Sequence, residues 1–142
     1  MKLIEVIKEG DIEVVGLLIS KGADVSERIK EFGDTPLHQA SCDGCKELVD
    51  LLISNGADVN AKNKYGSAPL DWATKYKQTE IVAILRKHGG KHGTIISAAR
   101  YGSIQGVQEF LANGADVNVY HNDYGGTPLH MAVIFCHKEI VK

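Results

Sequence analysis

The chain has 142 residues and a formal net charge of −2, which suits a single domain and does not suit a general binder of nucleic acid or anionic membrane. No apolar run approaches the roughly 20 residues that span a membrane, and Glu5 and Lys8 interrupt the amphipathic N-terminal helix that would otherwise resemble a signal peptide. Its three cysteines are an odd number with no disulfide framework. We therefore expect a soluble cytoplasmic protein whose partners include neither nucleic acid nor a membrane.

A short helix is predicted to begin after Thr35. The Thr35 hydroxyl can accept a hydrogen bond from a free backbone N–H of the first turn, and Pro36 suits the first helical position because its missing N–H costs nothing there. Leu37 and Ala40 lie on one face of this helix. Gly44 is expected to end it in the left-handed conformation.

A second helix is predicted over residues 46–55, with a wide apolar stripe formed by Leu48, Val49, Leu51, Leu52 and Ile53. The Asn-Gly pair at residues 55–56 ends it. The polar stretch that follows, up to Gly66, suits a β-hairpin-like finger that leads into the next short helix.

These elements repeat along the chain. The hexapeptide Thr-Pro-Leu-His-Gln-Ala at residues 35–40 returns as Thr-Pro-Leu-His-Met-Ala at residues 127–132, and a degraded copy lies at residues 68–73. Pro36 and Pro69 are 33 residues apart, the period of a helix–turn–helix solenoid. A Gly-Ala-Asp-Val motif also closes the second helices, at residues 22–25, 56–59 and 114–117.

Two helices and a finger, with Thr-Pro-Leu-His opening the first helix, resemble the ankyrin repeat over essentially the whole chain. The resemblance implies an all-α solenoid of about five repeats, namely residues 1–30, 31–63, 64–92, 93–122 and an incomplete 123–142. It also implies non-catalytic protein–protein recognition through a concave groove of finger tips and first helices. In this pattern the histidine of the motif, here His38, braces the finger.

A larger duplication underlies the repeats. When the chain is shifted by 92 residues, Ile4 aligns with Ile96, Gly10 with Gly102, and the first Thr-Pro-Leu-His motif with the second. Residues 1–92 and 93–142 are therefore predicted to be two blocks, the first complete and the second interrupted. A shortened finger at residues 89–93 gives a continuous stack, which we favour because two repeats alone fall below the three usually needed. A glycine hinge at the same residues is the alternative.

Chemical motifs have simpler explanations. His38, Cys42 and Cys45 have metal-like spacing but lack the ligands of a zinc site, and Cys42 and Cys45 form a Cys-x-x-Cys pair at a helix C-terminus, where thiols are not activated. The glycine-rich segment at residues 89–94 lacks the spacing of a phosphate loop. No catalytic residue, metal or cofactor is predicted. Asn60 and Asn118 resemble asparagines that are hydroxylated in some ankyrin repeats, although a turn-forming role is the simpler interpretation.

The aromatic residues suggest where a partner binds. Phe32, Tyr65 and Tyr124 share the slot before the finger glycine, whereas Tyr76, Tyr101 and Phe135 share the slot before the end of the first helix. In ankyrin proteins both slots face the groove, and aromatic side chains supply contact area at low entropic cost. The alternative is that the finger aromatics pack locally and seal the stack. The predicted contacts are Glu31, Phe32, Asp34, Tyr65, Ser67, Tyr76, Tyr101, Asp123, Tyr124 and Phe135, whereas Trp72 and Phe110 are predicted to lie in the core.

The sequence stops half-way through its last predicted helix, where Ile140 and Val141 correspond to core positions. A helix of about five residues is too short to be stable alone, so its apolar face is expected to find a partner. Self-association through this incomplete repeat is one possibility. The other is that the chain is the regulatory or targeting arm of a larger enzyme or membrane protein.

Overall fold

The computed structural model describes residues 3–116, 118 and 127–129. Within these residues the chain is all-α, with helices α1 Leu3–Glu9, α2 Ile12–Ser20, α3 Pro36–Asp43, α4 Lys46–Ser54, α5 Pro69–Lys75, α6 Thr79–Lys87, α7 Ile95–Arg100 and α8 Ile104–Ala112. None of these helices has the length and apolar character needed to cross a bilayer. The chain divides into two compact units, Met1–Lys91 and His92–Lys142, each described by itself.

Unit 1 is a two-layered stack of helix pairs. Helix α3 packs between α1 and α5 in one layer, and α4 packs between α2 and α6 in the other. The core lies between the layers, and its fully buried side chains include Leu37, Leu48, Leu52, Leu70 and Leu85. Because each pair covers its neighbour, the core is continuous along the stack, as expected of a solenoid.

The fingers are compact turns, and the described residues contain no β-strand. Short backbone hydrogen bonds close them, among them those from the Ile29 N–H to the Asp34 carbonyl (3.0 Å) and from the Asn63 N–H to the Ser67 carbonyl (2.9 Å). The hairpin-like shape predicted from the turn residues is therefore present without a strand ladder.

The helix ends follow the predicted local signals. Thr35 caps α3 through its side chain, and Gly44 ends that helix at φ 78°. The N-cap residue of helix α5 is Ala68, whose side chain has no oxygen to cap the helix. The Asp71 carboxylate nevertheless accepts a hydrogen bond from the Ala68 N–H at 2.7 Å. Helix α5 thus keeps one of the two hydrogen bonds of a capping box, the one from the N-cap backbone N–H to a side chain of the first turn.

Residues 89–91 are held firmly within unit 1. The Gly90 N–H donates to the Leu85 carbonyl (2.7 Å), and the Asn60 side chain both donates to the Gly89 carbonyl (3.0 Å) and accepts from the Lys91 N–H (2.7 Å). These three residues are therefore not a free linker. The continuous five-repeat stack and the boundaries of the duplicated blocks stay predictions.

The described part of unit 2 is a helix pair, α7 on α8. Ile95, Ile96 and Ala99 pack with Val107 and Phe110, so Phe110 has the core role predicted for it, although it is only partly buried. Ile140 and Val141, on which the prediction of self-association depends, lie outside the described residues.

Lys77 is the non-glycine residue with positive φ in the described chain (57°), and it occupies the helix-ending slot that Gly10, Gly44 and Gly102 fill elsewhere. Replacing Lys77 with glycine should raise the free energy of unfolding by about 0.5–1 kcal/mol. The strain of a left-handed residue that carries a Cβ is larger than the extra chain entropy that glycine loses on folding. Chemical denaturation of both proteins measures the difference. The reverse change at a slot with open space, Gly10→Lys, is the control and should destabilise the protein. A loss of stability in Lys77→Gly would show that the lysine side chain contributes more than its backbone strain costs.

Candidate functional site

The two fingers of unit 1 are joined by hydrogen bonds that make them one platform. The Arg28 guanidinium donates to the carbonyls of Gly33 (2.9 Å) and Lys62 (2.6 Å), so it connects its own finger to the next. The Lys64 N–H donates to the Phe32 carbonyl at 2.9 Å. These bonds fix the spacing of the two finger tips.

Asp34 and Ser67, both predicted contact residues, belong to this bracing. The Asp34 carboxylate accepts a hydrogen bond from the Asn63 amide at 2.9 Å, and the Ser67 N–H donates to the Asn63 side-chain oxygen at the same distance. Both residues are half-buried. One Asp34 carboxylate oxygen and the Ser67 backbone therefore serve the fingers.

His38 connects helix α3 to the second finger, as the resemblance implies. Its Nε2 lies 2.8 Å from the Ser67 carbonyl, and its Nδ1 accepts from the Thr35 N–H at 3.1 Å. This pattern requires the neutral tautomer with the proton on Nε2. Burial lowers the pKa of His38, and the Ser67 carbonyl, which favours the charged form, opposes that shift only in part.

The finger tips carry an exposed aromatic pair. Phe32 is 44% exposed and Tyr65 is 64% exposed, and their ring centroids lie 6.3 Å apart at an angle of 35°. The rings thus touch along neighbouring fingers, as the local-packing alternative requires, while much of each ring remains open to a partner.

A second aromatic group lies at the end of α5. Trp72 and Tyr76 are four residues apart and stack with centroids 5.9 Å apart and planes 10° apart. The Lys75 ammonium lies 5.2 Å from the Trp72 ring and 5.5 Å from the Tyr76 ring. Tyr76 is 46% exposed, and it interacts with the Cys42 thiol of α3 through its side chain.

The prediction that Trp72 is a core residue was wrong. Trp72 is half-buried, lies outside the apolar core of unit 1, and has no hydrogen-bond acceptor for its indole Nε1–H among the described residues. The missed signal was its i, i+4 spacing from Tyr76, which places both rings on one helix face. Trp72 therefore joins the candidate site.

Tyr101 lies in unit 2 and is less exposed than Phe32, Tyr65 and Tyr76. Its ring stacks on His92 with centroids 5.4 Å apart, and the Arg100 guanidinium lies 5.5 Å from its centroid. Glu31, in unit 1, is exposed. The predicted contacts Asp123, Tyr124 and Phe135 lie outside the described residues.

The environment of the Cys42 thiol does not activate it. Cys42 and Cys45 are free thiols. Burial and the neighbouring Asp43 carboxylate raise the pKa of Cys42, so the reactive thiolate is disfavoured. Among the described residues no cluster of His, Cys, Asp or Glu has the arrangement of a metal site.

Asn60 has the turn role that its position suggested. Its own N–H donates to the Asp58 carboxylate at 2.9 Å, and its side chain holds residues 89 and 91. Asn118 repeats the first of these bonds, with its N–H donating to Asp116 at 2.8 Å. Hydroxylation of either asparagine stays the less favoured alternative.

Comparison with known proteins agrees with the fold. Residues 3–95 match a family model described as ankyrin repeats in three copies, and residues 95–142 match one described as ankyrin repeats in many copies. The chain belongs to the ankyrin-repeat family. Domains of this family are in general non-catalytic modules that bind other proteins.

Two curated relatives are enzymes by name. The chain is 40% identical over 93 residues to serine/threonine-protein kinase 12 of Arabidopsis thaliana. The matched segment covers 65% of this chain and 20% of the kinase. The chain is 30% identical over 141 residues to an L-asparaginase of Dirofilaria immitis, which covers 93% of this chain and 23% of that protein. The chain therefore spans between a fifth and a quarter of the length of these relatives.

Proposed function

We propose that this chain is a non-catalytic module that binds a protein partner through the finger tips of unit 1 and the first helices of its repeats, α3 and α5. The observation that carries the proposal is the set of exposed aromatic rings, with Phe32 and Tyr65 on the hydrogen-bonded fingers and Tyr76 at the end of α5. Rings exposed at fixed positions lose little entropy on binding and are typical of interaction hot spots. Tyr101 is the proposed contact contributed by unit 2.

Truncating Tyr65 or Tyr76 to alanine should weaken partner binding by about 2 kcal/mol, roughly thirtyfold in Kd, because buried aromatic anchors dominate interface energies. The partner is first isolated by affinity capture from native lysate, and cross-links to the chain are mapped by mass spectrometry. Binding of each variant is then measured by calorimetry. Folding stability should change by less than about 0.5 kcal/mol, since both side chains are largely exposed.

Leu17→Ala is the matched control for these variants, because Leu17 is 55% exposed but lies on α2, in the other helix layer. It should leave partner affinity unchanged. If the tyrosine variants instead lose a few kcal/mol of stability and keep their affinity, the rings are structural struts and the local-packing alternative is correct.

A second proposal is that the module works as the regulatory or targeting arm of a larger enzyme. It rests on the two relatives, which are named as enzymes and are four to five times longer than the matched segment. Sequencing the complete transcript tests it directly. An open reading frame that encodes the repeats alone would refute the arm hypothesis and leave the binding proposal intact.

A further inference from the structure

The third repeat is strongly basic in a chain that is acidic as a whole. Residues 61–91 contain seven of the 16 Lys and Arg residues but two of the 18 Asp and Glu residues, a formal charge of +5 in a chain of −2. A solvated end repeat with cations near helix C-termini would explain Arg86 and Lys87, which lie in the last turn of α6. It also explains Lys75 in the last turn of α5, but it does not explain Lys62 and Lys64 on the finger.

Four lysines surround the exposed aromatic rings of this repeat. Lys62 and Lys64 lie on the finger beside Tyr65, and Lys75 and Lys77 flank Tyr76 at the end of α5. All four are exposed. Asp71 is the acidic residue in residues 61–78, and it is 5% exposed with its carboxylate bound to the Ala68 N–H. Residues 61–78 therefore present positive charge without an exposed carboxylate of their own.

Two of these lysine side chains are held in place. The Lys75 ammonium lies over the Trp72 and Tyr76 rings, a cation–π arrangement that leaves the outward side of the ammonium able to meet an anion. The Lys64 ammonium donates to the Lys30 carbonyl of the preceding finger. Fixing a long side chain before binding lowers the entropic cost of using it in an interface.

The neighbouring repeat limits the size of an anionic ligand. Glu31 and Asp43 are exposed on the finger and inner helix that precede this patch, and Asp34 is half-exposed beside them. Helices pack about 8–10 Å apart, so a long polyanion that extended beyond one repeat would meet these carboxylates. A short acidic stretch of polypeptide would not.

We infer that residues 61–78 bind a short acidic segment of a partner protein, with its carboxylates on Lys62, Lys64, Lys75 and Lys77 and its apolar side chains on Tyr65 and Tyr76. This inference rests on the proposed function and specifies the chemistry of the partner. Opposite charges on the two surfaces would speed association and select partners, and the aromatic rings would supply the contact area.

The probe for the test is a fluorescein-labelled decapeptide of alternating Glu and Leu, and its control is the same peptide with Lys in place of Glu. Binding is followed by fluorescence anisotropy at 20 and 150 mM salt. We expect the Glu peptide to bind and the Lys peptide to fail. The affinity of the Glu peptide should fall about tenfold at the higher salt, because the screening length then shrinks to about 8 Å.

Reversing the four patch lysines (K62E, K64E, K75E and K77E together) should weaken binding of the Glu peptide at least tenfold. The matched control reverses four exposed cations outside the patch, Lys21, Lys46, Arg86 and Lys87, and should change the affinity less than threefold. Circular dichroism checks that both variants are folded, and a second patch variant with glutamine at the four positions serves if the glutamate variant is not. Equal losses in patch and control variants would overturn the inference, since bulk charge alone would then explain binding.

Two further outcomes separate this inference from its alternatives. If a 12-nucleotide poly(U) RNA binds as tightly as the Glu peptide and is lost in the same variant, the patch is a nucleic-acid surface and the inference is wrong. If the captured natural partner is lost in Tyr65→Ala but retained by the lysine variant, the proposed function stands and the acidic-segment inference fails.

Discussion

Replacing His38 with alanine should lower the free energy of unfolding by about 3 kcal/mol. The change removes a fully buried ring, and it leaves the Ser67 carbonyl and the Thr35 N–H without the partner that joins helix α3 to the second finger. A buried polar group without a partner costs about 1–3 kcal/mol, and the cavity adds to that cost. Urea denaturation measures the difference. His88→Ala is the control and should have almost no effect, because His88 is exposed at the end of α6.

The same histidine should make stability depend on pH. The pKa of His38 is lowered in the folded protein, chiefly by burial, so the unfolded chain takes up a proton at a higher pH than the folded chain does. Stability is therefore full above about pH 6.5 and falls as the pH drops from there to the folded-state pKa, by at most about 1.4 kcal/mol per pH unit. His38→Gln should flatten this part of the stability profile. An unchanged slope in that variant would show that another group is responsible.

Gly90→Ala should destabilise the protein by about 2–4 kcal/mol, because overpacking against backbone forces the chain to shift. A Cβ at Gly90 would lie 2.7 Å from the Leu85 carbonyl oxygen, the atom that also accepts the Gly90 N–H. Residues 89–91 would then lose their place against α6 and Asn60. Thermal and urea unfolding both report the change.

Gly16→Ala is the matched control for Gly90→Ala, because it lies within α2 with no atom near the new Cβ. It should raise stability by about 0.5–1 kcal/mol through helix propensity. If Gly90→Ala is as mild as this control, residues 89–91 can rearrange freely and the hinge hypothesis gains support.

Much of the fold could be predicted because its signals are local. The capping oxygen of Thr35, the proline that follows it and the left-handed Gly44 act within one helical turn, and the structure has all three as predicted. The repeat period predicted the order of the helices, since each copy folds as the same pair. The contact from His38 to the finger was implied by family resemblance and is confirmed by the 2.8 Å separation from the Ser67 carbonyl.

The candidate site was predicted less completely, because local signals do not report what neighbouring repeats cover. Trp72 looked like a core residue in the sequence, yet the stacking of α5 on α3 leaves it half-buried beside Tyr76 and Lys75. Asp34 and Ser67 were predicted only as partner contacts, but one Asp34 carboxylate oxygen also braces the next finger and the Ser67 N–H braces its own.

The amino-acid sequence by itself therefore determined the class of fold, the helix ends and the aromatic character of the surface. Tertiary structure decided which rings remain exposed, that the Phe32 and Tyr65 rings meet at neighbouring finger tips, and that the Asn60 side chain holds residues 89 and 91. The physical reason is the sequence separation between the interacting groups. Caps and turns depend on atoms a few residues apart, whereas exposure and close approach depend on groups about one repeat apart that meet only when the repeats stack.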